Sequence, residues 1–349
     1  MRLEAREHPS VVLGLLAPVI AVVASLALCS PLIALAGAPV MSAFAQTMDG
    51  AFGSQFAIAA TLTRATPLIL TGLSVAVAFR SNLWNIGAEG QLYAGALAAV
   101  LLGGGAIVMP PALMIPLLFL GGFIAGALLL LFPATLKIRW GIDEVVTTLL
   151  LNFIVLLFVS MMLDGPMKDP AAAGWPQSVS VIQAATLPSL VAGTQLDWGL
   201  VLSVVTAVAI WVLNARTVWG YEMKAVGANP RAARFAGVPV RRVLFRVAIL
   251  SGGIAGMAGV SQVAGPAGYL TIGLSSGFGY TGIIVATLGR LNPVGVVLAA
   301  IFMAGIFIGA DAMSRSLAVP NYIAEVVQSV SLMTMLLAAL FVNYRVRRG

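Results

Sequence analysis

Long apolar runs separated by short polar interruptions dominate the chain, and run length is the first quantity to interpret. About 20 apolar residues in a helix cover the hydrocarbon core of a bilayer. Uncharged stretches therefore delimit candidate spans, and Pro or Gly clusters divide the longest. The first span is expected over about 10–35, since no charge lies between Pro9 and Met48 and the apolar part reaches about Ala36. A second is expected over about 57–79, with Arg64 near one end, from where its side chain would snorkel outward. The uncharged stretch from Gly90 to Leu136 holds two more, divided at Met109-Pro110-Pro111, and a fifth runs over about 144–163.

Residues 164–196 break this pattern: Pro166, Pro170, Pro176 and Pro188 alternate with Gly, Ser, Gln and Thr, the composition of an extramembrane loop. A sixth span follows over about 198–215, and then a basic segment over 216–245. From Val247 to Gly289 no residue is charged, yet eleven are Gly. One span fits at about 246–264, while GPAGYLTIGLSSGFGYTG is too rich in Gly for an uninterrupted helix. Irregular or re-entrant backbone is expected there, leading into a short helix that ends near Arg290. Such backbone persists at membrane depth only where protein or a water-filled cavity covers it. Two last spans, about 293–310 and 322–342, complete an all-α membrane fold of about ten crossings.

Composition agrees with that reading. Hydrophobic residues make up 60%, charged residues only 9%, and mean hydropathy is +1.03; a soluble domain carries charge on about a quarter of its positions. The net charge of +7 does not mark a nucleic-acid binder, because the basic residues sit between apolar runs, where they orient a membrane protein. With ten crossings, Arg2, Arg6, Arg80, Lys137, Arg139, the 216–246 segment, Arg290, Arg345, Arg347 and Arg348 share one face. Lys168 and Arg315 fall on the other. The positive-inside rule then puts both termini in the cytoplasm. The expected layout is a cytoplasmic leader over 1–9, a single transmembrane domain over 10–345 and a basic tail over 346–349. Within it, 164–196 is extracytoplasmic and 216–245 cytoplasmic. The first apolar run exceeds a signal-peptide core, so it reads as a retained span. One cysteine, Cys29, and one histidine, His8 in the leader, leave no material for a disulfide framework or a Cys/His metal centre.

The segment from Gly220 to Arg242 has legible helix grammar. Asn229 suits an N-cap and Pro230 the first helical position, so Arg231 to Phe235 reads as a short helix stopped at Gly237, with Pro239 close behind. Two readings remain open on these residues alone: a projection that another protein grips, or a solvated basic loop that only sets orientation.

Here the chain resembles a family. AVGANPRAARFAGV (225–238) is similar to the cytoplasmic coupling segment of ABC-importer permeases of the branched-chain amino acid/ribose/simple-sugar class. NLWNIGAEGQLYAGA (82–96), GIDEVVTTLLLNFI (141–154) and GYTGIIVATLGRLNPVG (279–295) resemble the nucleoside and simple-sugar branch of that class. Where ribose-type permeases carry a GIDLSVG-like string this chain has NIGAEGQ, which argues against a pentose pyranose solute. The resemblance implies that Ala225, Gly227, Asn229, Pro230, Arg231, Ala233, Arg234 and Gly237 belong to a segment that docks on an ATP-binding subunit. It also implies a second, related permease, a nucleotidase subunit with duplicated cassettes, an extracytoplasmic solute-binding protein, and residence in a bacterial inner membrane.

ATP hydrolysis on the chain itself would need G-x-x-x-x-G-K-[ST]. Its lysines are Lys137, Lys168 and Lys224, and none precedes Ser or Thr, so ATP belongs to a partner and no cofactor is expected here. Gly- or Pro-interrupted segments in the two halves of a transporter point to a midplane site. The two candidates are NIGAEGQ and SSGFGYTG, offering Asn85, Glu89, Gln91, Ser275 and Ser276 as polar handles and Trp84, Phe278 and Tyr280 as aromatic faces. For each of these, packing at a helix interface competes with solute contact. Glu89 stands out as an acid near membrane depth, with capping of helix-start amides as the alternative. Asp143 and Glu144 need no more than a place at a helix start.

The expected function is thus an ATP-driven importer permease for nucleosides or a related purine or simple-sugar solute, with a branched-chain amino acid permease as runner-up. For an ion-coupled secondary transporter, Arg64, Glu89, Asp311 and Glu325 are too few and too peripheral. No paired acids or nucleophile–base set suggests an enzyme.

Overall fold

A computed structural model of the chain describes residues 2–5 and 11–347. Of the expected leader and tail, Met1, residues 6–9 and residues 348–349 lie outside the described residues, and Arg6, His8 and Arg348 with them. Thirteen helices follow in order among the described residues: α1 (Val11–Leu35), α2 (Val40–Phe52), α3 (Gln55–Arg80), α4 (Ala88–Gly103), α5 (Pro111–Trp140), α6 (Glu144–Asp164), α7 (Gly199–Arg216), α8 (Val218–Ala228), α9 (Pro230–Phe235), α10 (Val240–Gln262), α11 (Phe278–Leu288), α12 (Pro293–Ser316) and α13 (Asn321–Asn343). Two four-residue strands add the departure from an all-helical fold: β1 (Arg2–Ala5) pairs antiparallel with β2 (Tyr344–Arg347), so the two ends of the chain lie side by side. Seven helices are long and apolar enough to cross a membrane, and an eighth span results if α1 and α2 are taken together. This is a multi-pass integral membrane protein. α4 and α11, at 16 and 11 residues, are shorter than a bilayer crossing.

The chain divides into two compact units: residues 1–61 with 301–349, and residues 62–300. In the first, α1 packs on α13 around Cys29, Ile33, Met313, Ile323 and Val327, and the Ser25 and Ser331 hydroxyls meet at 2.9 Å. α2 is an element absent from the sequence reading. It leaves α1 at 120° because Gly37, at φ +82, ends α1 in a Schellman turn (Ala38 N–H to Ile33 O, Gly37 N–H to Ala34 O). Pro39 then starts the next helix. Its Ala43, Thr47 and Ala51 are buried, one stripe at helical spacing. A Cβ at Gly309 would lie 2.3 Å from the Thr47 carbonyl oxygen, so α12 lies directly on the α2 backbone.

The second unit is built on α4, α5 and α10. Lipid tails are as apolar as leucine, so membrane helices associate through close packing and hydrogen bonds rather than by escaping water. Small residues make that approach possible. A Cβ at Gly95 would sit 2.0 Å from the Gly256 carbonyl oxygen, one at Gly126 2.2 Å from that of Gly252, and one at Gly259 1.9 Å from that of Leu92. Three helices therefore touch backbone to backbone, and α4 is buried almost all round. α10 ends in a π-turn over Val263–Ala267 that contains Pro266 and a non-helical Gly265. The loop over 164–196 carries only a three-residue 3₁₀ turn and is tied to the chain leaving α10: Ser178 N–H reaches Leu270 O, Val181 N–H reaches Gly268 O and Leu187 N–H reaches Ala264 O. Asp197, buried beside Gly265, accepts Gly199 N–H at 2.7 Å and so starts α7. That burial pushes its carboxyl above the usual carboxylate range.

Candidate functional site

The site lies in the second unit, where two short helices begin. After α3 the chain turns through Asn82, at φ +56, runs non-helically to Gly87 and enters α4. The chain leaving α10 runs irregularly from Gly268 to Gly277 and enters α11. The N-termini of α4 and α11 meet: a Cβ on Gly279 would be 2.2 Å from the Glu89 amide nitrogen. The two strings singled out in the sequence, NIGAEGQ and SSGFGYTG, are thus brought into contact.

Each helix start carries about half a positive charge from its aligned peptide dipoles. Glu89 answers both. It stands in the first turn of α4, is 4% exposed, and accepts Gly279 N–H from α11 at 2.7 Å. Of the two roles weighed for Glu89, amide capping is realised, and the helix capped is the other one. Asn152 on α6 closes the junction from the side, accepting Gly90 N–H at 2.9 Å and donating to Ile86 O and to the Tyr280 hydroxyl at 3.0 and 3.1 Å. No sequence pattern singled out Asn152; its signal was an amide in the middle of a 21-residue apolar helix.

Other sequence candidates take different parts. Asn85 and Gln91 bond one another through both amide groups, at 2.8 and 2.9 Å, and Asn85 also holds Gly87 N–H and Ser251 Oγ. They lock the bend before α4, and their groups are committed to that fold. Trp84 is 45% exposed; its backbone N–H donates to Glu144, which also pairs with Lys137, and its ring lies tilted against that of Phe79, centroids 4.5 Å apart. It belongs to the charged end of the unit. Glu144 is therefore an ion-pair partner, while Asp143 is the true cap of α6, accepting Val145 N–H at 2.7 Å. Ser275 caps Phe278 N–H, Ser276 is exposed, and Tyr280 is 38% exposed. Phe278 is 1% exposed, with the Arg64 guanidinium 4.8 Å above its ring centroid. That corrects the outward, snorkelling Arg64 expected from sequence: its head turns inward because an aromatic face at depth stabilises a cation that lipid would not.

The basic segment folds as its grammar predicts. Asn229 accepts Arg231 N–H and Ala232 N–H at 3.0 and 3.1 Å, Pro230 opens α9, and Gly237 at φ +83 closes it. Ala225 is half-buried, Ala233 is buried, and a Cβ on Gly227 would be 2.0 Å from the Arg80 carbonyl oxygen. These residues anchor the segment to the membrane unit. Pro230, Arg231 and Arg234 are exposed, and Phe235 is 94% exposed. Phe235 escaped the sequence reading, although a lone aromatic amid basic and small residues was visible in AARFAG. Arg234, Arg241 and Arg242 line a groove beside it with Val238 and Pro239.

A family model described as branched-chain amino acid transport system / permease component matches residues 57–340. A glucose ABC transporter permease protein of Haloferax volcanii is 35% identical over 95% of this chain and 91% of its own length. A guanosine ABC transporter permease protein of Bacillus subtilis is 34% identical over 90% of each chain. A second guanosine ABC transporter permease protein of the same organism is 27% identical over 70% of this chain and 78% of its own. The chain belongs to the family of branched-chain amino acid transport system permease components.

Proposed function

We propose that this chain is the translocation subunit of an ATP-driven importer that takes up a nucleoside or a simple sugar. The observation that carries the coupling half of this reading is α9: a capped helix held by Ala233 and Gly227, projecting Phe235, Arg231 and Arg234 from the basic end. An exposed aromatic flanked by arginines is the usual composition of an interface hot spot, and an ATP-binding subunit is its occupant. The solute half rests on the names of the glucose and guanosine relatives and on the junction of α4 and α11. A permease is not itself an enzyme; ATP is bound and hydrolysed by the partner, and an extracytoplasmic protein delivers the solute.

Ten crossings follow if α4 and α11 each complete a span together with the irregular backbone before them. The termini then share the cytoplasmic side, which fits the pairing of β1 with β2. Within the second unit, Arg80, Lys137 and the 216–246 segment lie at one end, since Lys137 donates to Asn82 O and Gly227 packs on Arg80. The positive-inside rule makes that end cytoplasmic, in a bacterial inner membrane. The partner permease is a related, unequal chain; two guanosine permeases of different similarity in Bacillus subtilis support this.

The test is co-purification in mild detergent with mass spectrometry of the partners. The wild-type chain is expected to bring down a P-loop ATPase and a second permease, and Phe235→Ala about tenfold less ATPase, a typical loss for a hot-spot aromatic. Equal recovery with Phe235→Ala would contradict the docking role.

A further inference from the structure

The loop over 164–196 carries an ordered hairpin that the proposed function has not used. Lys168 and Ser178 form an antiparallel bridge, and Asp169 N–H donates to Gln177 O at 2.9 Å. The Asp169 carboxylate holds the turn, accepting Ala171 N–H at 2.9 Å. Ala173 and Gly174 take left-handed backbone, at φ +47 and +97. Trp175 N–H then closes on Ala172 O, and Trp175 O accepts Gln177 N–H, both at 2.9 Å. Trp175 is 74% exposed, the most exposed of the chain's six tryptophans. Its backbone is fixed on both sides while its side chain stands in the open.

Position and bonding together say what meets that ring. α6 starts at Glu144, ion-paired with Lys137 at the basic end of the unit, and its 21 residues carry the chain roughly 30 Å away from there. The hairpin that follows is on the face opposite α9, the face at which solute arrives. Its inner edge is joined to the chain that enters α11. Gln177 bridges Thr271, and the buried Ser178 gives its N–H to Leu270 O and accepts Leu270 N–H on its hydroxyl, at 2.9 and 2.8 Å. Ile272 O receives the Tyr93 hydroxyl, which accepts Ser275 N–H at 3.2 Å. Ser275 in turn caps Phe278, the first residue of α11. Consecutive hydrogen bonds thus run from the hairpin to the junction of α4 and α11. Lipid is the poorer match for Trp175. Trp140 ends α5 and Trp198 precedes α7, where indoles meet headgroups. Trp175 belongs to no helix, and its exposed neighbours Pro170, Ala171 and Gly174 are too small to bury much apolar area in a bilayer.

We propose that the 168–178 hairpin is the docking element for the extracytoplasmic solute-binding protein, with Trp175 as its anchor in an apolar pocket that also offers an acceptor to the indole N–H. A tryptophan on an ordered turn buries a large area and has little freedom left to lose. This inference rests on the permease reading. The experiment titrates the complex, held in lipid nanodiscs, with the importer's fluorescently labelled solute-binding protein, loaded with guanosine or with glucose, whichever stimulates ATP hydrolysis. Trp175→Ala is expected to raise the dissociation constant about thirtyfold, a typical loss for a tryptophan hot spot, and Trp175→Phe to raise it less. Trp198→Ala is expected to leave it unchanged. Wild-type affinity in Trp175→Ala overturns the inference. Equal losses in Trp175→Ala and Trp198→Ala mark a lipid effect and overturn it too, as does loss of the second permease from the purified Trp175→Ala complex. If Trp175→Ala yields no folded chain, the wild type decides: adding the binding protein must slow amide hydrogen exchange across 168–178, and unchanged exchange overturns the inference. A wild-type complex that hydrolyses ATP yet binds no such protein removes this inference alone, whereas one that does neither removes the permease reading with it.

Discussion

Glu89 holds the α4–α11 junction through a single backbone donor, Gly279 N–H, 190 residues away in sequence. Replacing it by glutamine keeps an acceptor oxygen there and removes the negative charge between two helix starts. A charge in that position is worth up to about 2 kcal/mol. Glu89→Gln is therefore expected to assemble, as judged by size-exclusion chromatography of the complex, with uptake lowered by about tenfold, the kinetic equivalent of 1.4 kcal/mol. A variant that fails to assemble would assign Glu89 to folding alone. The importance of Glu89 was legible in the sequence, because an acid in an apolar stretch has few explanations. Its partner was not, because periodicity and composition carry no information on contacts between residues so far apart. The same limit explains Arg64: position along α3 sets the depth of its Cα, but the direction of a long side chain follows from the aromatic ring that α11 places beside it. Asn85 and Gln91 were visible as polar handles, yet only the fold shows that each satisfies the other.

Helix contacts set what the elements tolerate. Gly256 lies against both Gly95 and Gly122, and a Cβ there would be 2.0 Å from the Gly122 carbonyl oxygen. Gly256→Leu must push α5 and α4 away from α10, and overpacking of this kind costs about 1–3 kcal/mol or more. The expected outcome is a drop in the yield of folded protein in detergent, measured by fluorescence-detected size-exclusion chromatography, with Ala94→Gly as a mild control. Wild-type yield from Gly256→Leu would refute the close packing. At this scale the sequence was informative. Run length located α1, α3, α5, α6, α7 and α13 to within a few residues and the start of α12, which runs six residues past its expected end, and Asn229, Pro230 and Gly237 located α9, because caps and breakers act locally. α2 was missed because Ser42, Gln46, Thr47 and Asp49 dilute its apolar run, and its buried face is small: Ala43, Thr47, Ala51. The shortness of α4 was hidden for a related reason, since the bend from 81 to 87 is held by tertiary bonds from Glu144, Asn152 and Ser251.

The whole chain combines a closely packed membrane unit, a junction of two half-helices inside it, and a capped basic projection at one end. Only the first of these is common to membrane proteins in general; the other two suit a permease coupled to an ATP-binding subunit outside the bilayer. Division of the chain into two compact units was not legible, because both contain equally apolar helices and no linker separates them; α3 and α12 run through the boundaries at Thr61 and Ala300. The central claim is that ATP on a partner drives solute through this chain. Its most direct test is uptake of radiolabelled guanosine or glucose into proteoliposomes holding the purified complex, with its solute-binding protein outside and ATP inside. Accumulation above the external concentration with ATP, absent with a non-hydrolysable analogue, is the predicted result. Uptake of the same extent without ATP, driven instead by an imposed proton or sodium gradient, would contradict it.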